Sequence, residues 1–428
     1  AFLAAISILF KLIFLFSIPN LSQDFYRFIW DGRMLLGGFN PYASLPQTFI
    51  EQLNFPITQA IDLYTGMGEF NGSHYTNYPP VNQLCFLIAA LLANKSILGA
   101  VVVMRIIIIS AEIGILYFGK KLLERLNIPI HHIFWYALNP FIIIELTGNL
   151  HFEPVMLFFL VWSLYKIQQQ KWIFGALLLA CAISVKLIPL LFLPLFYQWF
   201  VRSKVIITPS TREKQSLDKD EITSSKFPRK DESKISDRAQ ARPNGFLKLI
   251  AFYGIVVLTT VLLFLPFYSA TFVNNYSSSI GLWFKNFEFN ASFYYLFRTI
   301  GYQFRGWNEI AIIGKIMPVL TILFLGIITF SRKNSSLKQL ITALLFGLSF
   351  YYFTTTTMHP WYLATLVLLT VFTKYRFPIV WSLVIVLSYA AYTTETFTEN
   401  LWLVGIEYLF VYGFMIWELC LKPSKEKI

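Results

Sequence analysis

The sequence predicts an all-α, polytopic membrane protein with about 12 transmembrane helices, and three observations carry that prediction. Only 14% of the 428 residues are charged, against 56% that are hydrophobic, while a soluble domain carries about 25% charge. Apolar runs of spanning length recur from one end of the chain to the other. Aromatic residues make up 18%, as expected where rings sit at both membrane–water interfaces.

The apolar runs fall near 1–19, 99–119, 130–148, 152–168, 171–185, 187–202, 246–267, 309–330, 338–356, 360–373, 377–393 and 400–421. The first reads as a span rather than a signal peptide, because no small-residue cleavage site precedes Asp24. The run 81–94 follows Pro79-Pro80 and is short, so it reads as an interfacial or re-entrant helix. With the N-terminus inside, Lys120, Lys121, Arg125, Lys166, Lys171, Arg332, Lys333, Lys338, Lys374 and Arg376 fall in cytoplasmic loops, as the positive-inside rule requires. Counting 81–94 as a full span would reverse every later loop.

This topology divides the chain into an N-terminal module (1–202) with a long external loop at 20–80, a linker at 203–245 and a C-terminal module (246–428) with a second external loop at 268–308. The linker holds ten basic and seven acidic residues among few large apolar ones, the composition of a disordered cytoplasmic tether. The net charge of +12 is accounted for by loop topology and calls for no nucleic acid. Cys85, Cys181 and Cys420 lie in apolar sequence without metal-ligand spacing and read as small buried hydrophobes. Arg105 and Glu112 are seven apart on one helix face, which predicts a structural ion pair.

The informative polar residues converge on the outer side. Asp24 follows the first span by five residues, with Asp31 and Arg33 further along one predicted helix. His74 and Tyr78 close the first loop, His151 and Glu153 sit in the turn between the third and fourth spans, and His359 follows the ninth. Lys186 interrupts an apolar run with no acidic neighbour in sequence. An unpaired ammonium near lipid is costly, and a bound phosphate or snorkelling to the headgroups would compensate it. Taken singly, each of these residues has an ordinary structural reading as a cap, a core histidine or a surface cation. Their shared sidedness favours a site.

Several blocks resemble the GT-C glycosyltransferases, integral-membrane enzymes that use polyprenyl-phosphate sugars. They are Asp24-Phe25-Tyr26-Arg27-Phe28-Ile29-Trp30-Asp31-Gly32-Arg33, Gly37-Gly38-Phe39-Asn40-Pro41-Tyr42, Tyr78-Pro79-Pro80, Gly148-Asn149-Leu150-His151-Phe152-Glu153, Val185-Lys186-Leu187-Ile188-Pro189 and His359-Pro360-Trp361-Tyr362. The blocks appear in the family's order and are most similar to the bacterial polyprenol-phosphate-mannose-dependent mannosyltransferases and the GPI mannosyltransferase catalytic subunit. The resemblance implies a GT-C-like fold and transfer of a sugar, mannose above all, from a polyprenyl-phosphate donor to a hydroxyl of a glycan, lipid or protein. The reaction would be inverting, at the outer or periplasmic face of the inner membrane.

In that family the catalytic acid residue follows the first span, which maps onto Asp24 as general base. Asp31, Arg33, Tyr78, His151, Glu153, Lys186 and His359 are the matching candidates for donor or acceptor binding, with Lys186, Arg33 or His359 as cations for the phosphate. Where relatives carry a D-x-D pair, this chain has Asp24 followed by Phe25 and Tyr26, so no metal or other cofactor is expected. A transporter or flippase of a lipid-linked or small polar substrate is the alternative. A cysteine placed at Ser44 should label from the outside and one at Ser224 from the inside, and labelling of both from one face would overturn the topology.

Overall fold

The computed structural model describes residues 1–202, 244–285, 287–393 and 398–421. Most of the linker expected at 203–245 therefore lies outside the described residues. Among the described residues the fold is all-helical, with one isolated bridge, between Phe289 and Thr357, in place of any strand.

In chain order the helices are α1 (Phe2–Leu12), α2 (Asp24–Leu36), α3 (Pro46–Glu51), α4 (Ala60–Gly72), α5 (Pro80–Ala93) and α6 (Ile97–Arg125). There follow α7 (Phe134–Ala137), α8 (Glu153–Gln168), α9 (Trp172–Ile183), α10 (Tyr197–Arg202), α11 (Gly245–Phe264), α12 (Phe272–Lys285) and α13 (Phe293–Arg305). The last five are α14 (Ile310–Ser331), α15 (Leu337–Thr354), α16 (Ala364–Val371), α17 (Phe377–Val384) and α18 (Leu401–Ile416).

Among the described residues four stretches, Ile97–Arg125, Gly245–Phe267, Ile310–Ser331 and Leu401–Leu421, are long and apolar enough to cross a bilayer. A fifth is the pair Ile142–Gly148 and Glu153–Gln168, bent by 112° at its break. These are the helices of an integral membrane protein. The other apolar runs are divided into shorter pieces, and the sequence shows why. Pro189 and Pro194 hold Ile188–Phe196 in a 3₁₀ form ahead of α10, and Pro360 opens a 3₁₀ turn into α16. The run at 130–148 becomes a 3₁₀ turn, α7 and a π-helical segment. Backbone of this kind is tolerated at membrane depth where protein surrounds it.

Two buried polar groupings depart from the sequence reading. Arg105 does not pair with Glu112. It donates instead to the carbonyls of Leu15, Thr147 and Gly148 at 2.8–3.0 Å, tying α6 to the ends of two neighbouring segments. Glu112 faces Lys11 of α1 at 3.8 Å and accepts from the Tyr136 hydroxyl at 2.9 Å. Seven residues on one face gave the right direction, but closer partners on other helices took both charges. Of the cysteines, Cys85 is buried, Cys181 is partly exposed and Cys420 is exposed, so Cys420 belongs to an outward apolar face rather than to the core.

The first loop is a packed helical layer. Helix α2 crosses α5 at Gly32, where a Cβ would come within 2.3 Å of the Phe86 carbonyl oxygen. Phe28, one turn earlier, stacks on Phe86 at 4.6 Å between ring centroids. Asp31 is fully buried in an ion pair with Arg27 at 2.9 Å and accepts from Gln83 of α5 at 3.0 Å. Arg27 also donates to the carbonyls of Asn71 and His74, which fastens the end of the α4 segment to α2. Because backbone cannot yield as a side-chain tip can, Gly32→Ala should force the two helices apart. A loss of about 1–3 kcal/mol, read as a lower unfolding temperature in detergent, is expected; an unchanged midpoint would show the crossing to be loose.

Candidate active site

One large cavity, of about 1400 Å³, opens among these elements. Ordinary small-molecule pockets run to about 300–1,000 Å³, so this one has room for two substrates together. Its walls come from the start of α2, the segment 67–82, the 151–152 turn, residues 186–188 and the stretches 287–289, 359–362 and 398–401. Both halves of the chain contribute to it.

Asp24 is the first residue of α2 and stands on the cavity wall. Helix periodicity sets Asp24, Phe28 and Gly32 on one stripe, so the same face that packs on α5 delivers the carboxyl to the cavity rim. Burial pushes the carboxyl above its ordinary range, against the opposing pull of His151, Lys186 and a hydrogen bond from Tyr78. A partly desolvated carboxylate of this kind is a stronger base than one in water.

Lys186 lies on the opposite part of the wall and is not unpaired. Its ammonium bonds the carboxylate of Glu153, a fully buried residue in the first turn of α8. The ring of Tyr362 lies 5.2 Å beneath the same ammonium. The missing acid was 33 residues away in sequence, on another helix, so a phosphate is not required to neutralise the lysine. Lys186 remains 17% exposed and keeps donor capacity toward the cavity. The turn carrying it is fixed from below, since the Ser184 carbonyl accepts the backbone N–H of Val81 at 2.8 Å.

His151 stands 3.1 Å from Glu145, whose second oxygen accepts from Asn149 at 3.2 Å and from the Tyr389 hydroxyl. Its ring stacks on Trp361 at 4.0 Å, and Trp361 stacks in turn on His359 at 4.4 Å. Phe289 extends this column at 5.3 Å from His359. Burial, with Lys186 and His151 nearby, pushes the His359 imidazole down to about 3. It is therefore neutral at ordinary pH and cannot supply positive charge to a phosphate. Its place is in an aromatic wall, a surface suited to the apolar faces of sugar rings.

Asp31 and Arg33 do not reach the cavity. Arg33 donates to the Thr58 and Lys95 carbonyls and to the Gln59 side chain at 2.6–3.0 Å, so it fastens the first loop to the α5–α6 connection. At the far end of the cavity, Glu288 pairs with Arg298 at 2.5 Å, and Glu399 accepts from the Asn290 backbone and the Tyr295 hydroxyl. Burial raises the Glu399 carboxyl. No sequence motif marked Glu288, Glu399 or Tyr392, because long-range folding alone brings them here.

Six of the residues singled out in the sequence, Asp24, His74, Tyr78, His151, Lys186 and His359, thus share one cavity, with Glu153 immediately behind. Residues 3–202 match the model of the alpha-(1->6)-mannopyranosyltransferase N-terminal domain, of the MptA_B family. The match bears out the resemblance to mannosyltransferases and supports glycosyl transfer as the activity. It takes in every candidate residue from Asp24 to Lys186 and ends before the His359 wall. No curated relative matches the chain.

The Lys186–Glu153 pair gives a direct check on how this site is held. Lys186→Met should strand a buried carboxylate and cost about 3 kcal/mol, the lower end for a broken buried pair because the lysine is partly wet. Lys186→Met combined with Glu153→Gln should recover most of that in thermal unfolding. Equal stability of the single and double variants would show that the pair is not coupled.

Proposed function

We propose that this protein is a multi-pass, GT-C-type glycosyltransferase that moves a sugar, mannose above all, from a polyprenyl-phosphate donor to an acceptor hydroxyl. The topology would be the twelve-segment one with the cavity at the outer face of the plasma membrane. The observation that carries the proposal is a half-buried, proton-avid carboxyl, Asp24, facing the same cavity as the Lys186 ammonium, within a segment that matches a mannosyltransferase family model.

In this reaction Asp24 accepts the proton of the acceptor hydroxyl as its oxygen attacks the sugar C1. The bond from C1 to the phosphate oxygen breaks, and polyprenyl phosphate leaves with both electrons. A phosphate needs no proton to depart, but its growing charge needs a cation. Lys186 supplies that charge, and Glu153 holds the ammonium in place. Direct displacement inverts the anomeric centre, so a β-linked donor yields an α-linked product. The aromatic column His151–Trp361–His359 offers a flat apolar wall for the sugar rings. The cavity volume accommodates donor and acceptor together, and the acceptor is a glycan, lipid or protein whose hydroxyl reaches Asp24.

Asp24→Asn should abolish most transfer, by about 10²–10⁴-fold, in purified protein given polyprenyl-phosphate mannose and candidate acceptors. Activity in the parent protein should fall with acid, along a limb lying above the ordinary carboxylate range, because Asp24 must be ionised to act. Stability should move the other way. A carboxyl whose pKa is raised by folding binds more protons in the folded state, so its ionisation weakens the fold as pH rises. Asp24→Asn should therefore be at least as stable as the parent at neutral pH. A variant that unfolds, or one that transfers sugar normally, would remove Asp24 from the role of base. A parent that moves sugars across vesicle membranes without transferring them would instead be a transporter.

A further inference from the structure

Asn82 is an unspent amide on the cavity wall. It lies in the first turn of α5, is 1% exposed, and neither its Oδ1 nor its Nδ2 has a hydrogen-bond partner among the described residues. Leaving both ends of a buried amide unmatched forfeits its bonds to water without replacing them, so such a group calls for an occupant. The contrast with its neighbour is sharp. The Gln83 amide is bound to Asp31 at 3.0 Å and Thr76 at 3.2 Å, and serves the fold.

Its position follows from the helix crossing. Asn82 and Phe86 are one turn apart on the face of α5 that meets α2, where Phe28 stacks on Phe86 and Gly32 abuts the Phe86 carbonyl. Asp24 continues the α2 stripe one turn beyond Phe28, toward the same opening. Tyr78, in T-shaped contact with Phe28 at 4.9 Å, hydrogen-bonds the Asp24 carboxyl. Asn82 and Asp24 therefore arrive at one cavity from the two partners of a rigid crossing.

We propose that Asn82 binds a pair of adjacent hydroxyls on a sugar ring, its Nδ2 donating to one and its Oδ1 accepting from the other. The inference rests on the glycosyl-transfer reading and adds the group that recognises the ring. Ligand chemistry selects hydroxyls over the phosphate. A phosphate only accepts, so it would use Nδ2 and leave Oδ1 stranded, whereas a vicinal diol both donates and accepts. The diol belongs either to the donor sugar or to an acceptor sugar, and the two are separable by experiment.

The test is equilibrium binding of the purified full chain to polyprenyl-phosphate mannose and to octyl α-mannoside, each compared with its monodeoxy analogues. The parent should bind at least one probe, and removal of one hydroxyl of the recognised pair should weaken it about tenfold. Asn82→Leu should bind the complete sugar about as weakly as the parent binds the deoxy sugar, and should no longer distinguish the two. Asn82→Ala, which removes the amide without adding bulk, should likewise lose the discrimination; it carries the test should the leucine variant not fold. Loss confined to polyprenyl-phosphate mannose assigns the donor sugar, and loss confined to octyl α-mannoside assigns the acceptor. Undiminished discrimination in the variants would overturn the role of Asn82 alone, leaving an ordered water as its occupant. Binding of neither probe by the parent would overturn the glycosyl-transfer reading and this inference with it.

Discussion

The site depends on a charge that cannot be left alone. Glu153 is fully buried at the start of α8, and Lys186 meets it from the turn after α9. In an apolar surround a carboxylate needs an opposite charge close by, so this pairing fixes how two consecutive helices close at one end. The Ser184 carbonyl then accepts from Val81, which fixes where α5 begins. From α5 the Gly32–Phe86 crossing fixes α2, and α2 carries Asp24. One ion pair and one close crossing thus set the base, the cation and the wall between them.

Helix breaks give that arrangement its room. Straight apolar helices pack side by side and leave little space between them. Here the segments that reach the cavity are interrupted at Pro360, after Gly148 and before Ile188. Each break turns backbone and polar side chains inward: His359 and Trp361, His151, and Lys186. The same interruptions divide apolar runs that composition alone would count as whole spans, and only four stretches, or five with the bent pair, keep spanning length as helices. Hydropathy counts apolar residues, whereas a continuous helix also needs an unbroken hydrogen-bond ladder, which proline interrupts.

Much of the site was legible in the sequence because polar residues are scarce there. Asp24, His151, Lys186 and His359 each interrupt apolar or aromatic sequence, and the cavity gathers all four. Arg33 and Asp31 were equally conspicuous, yet the fold uses them internally, through partners 25 to 62 residues away for Arg33 and through Arg27 and Gln83 for Asp31. Sequence marks a costly residue without saying whether protein or ligand meets the cost. Glu399 and Glu288 left no signal, since their relation to Asp24 exists only after the C-terminal half folds onto the first. Asn82 did leave one, as half of a lone Asn-Gln pair between Pro80 and the apolar run beginning at Leu84.

The electrostatics of Asp24 explain why such a site is built from parts that look poorly satisfied. A carboxyl surrounded by several donors would be held firmly as the anion and would be a weak base. Burial opposes the charge on Asp24, while His151, Lys186 and Tyr78 favour it. The balance leaves its affinity for a proton raised but its neutralisation incomplete. Lys186 is treated alike: Glu153 secures it, yet part of the ammonium remains open to the cavity. A fold optimised for stability alone would close both contacts, and the cavity would then hold two neutral, finished pairs with no capacity left for a substrate.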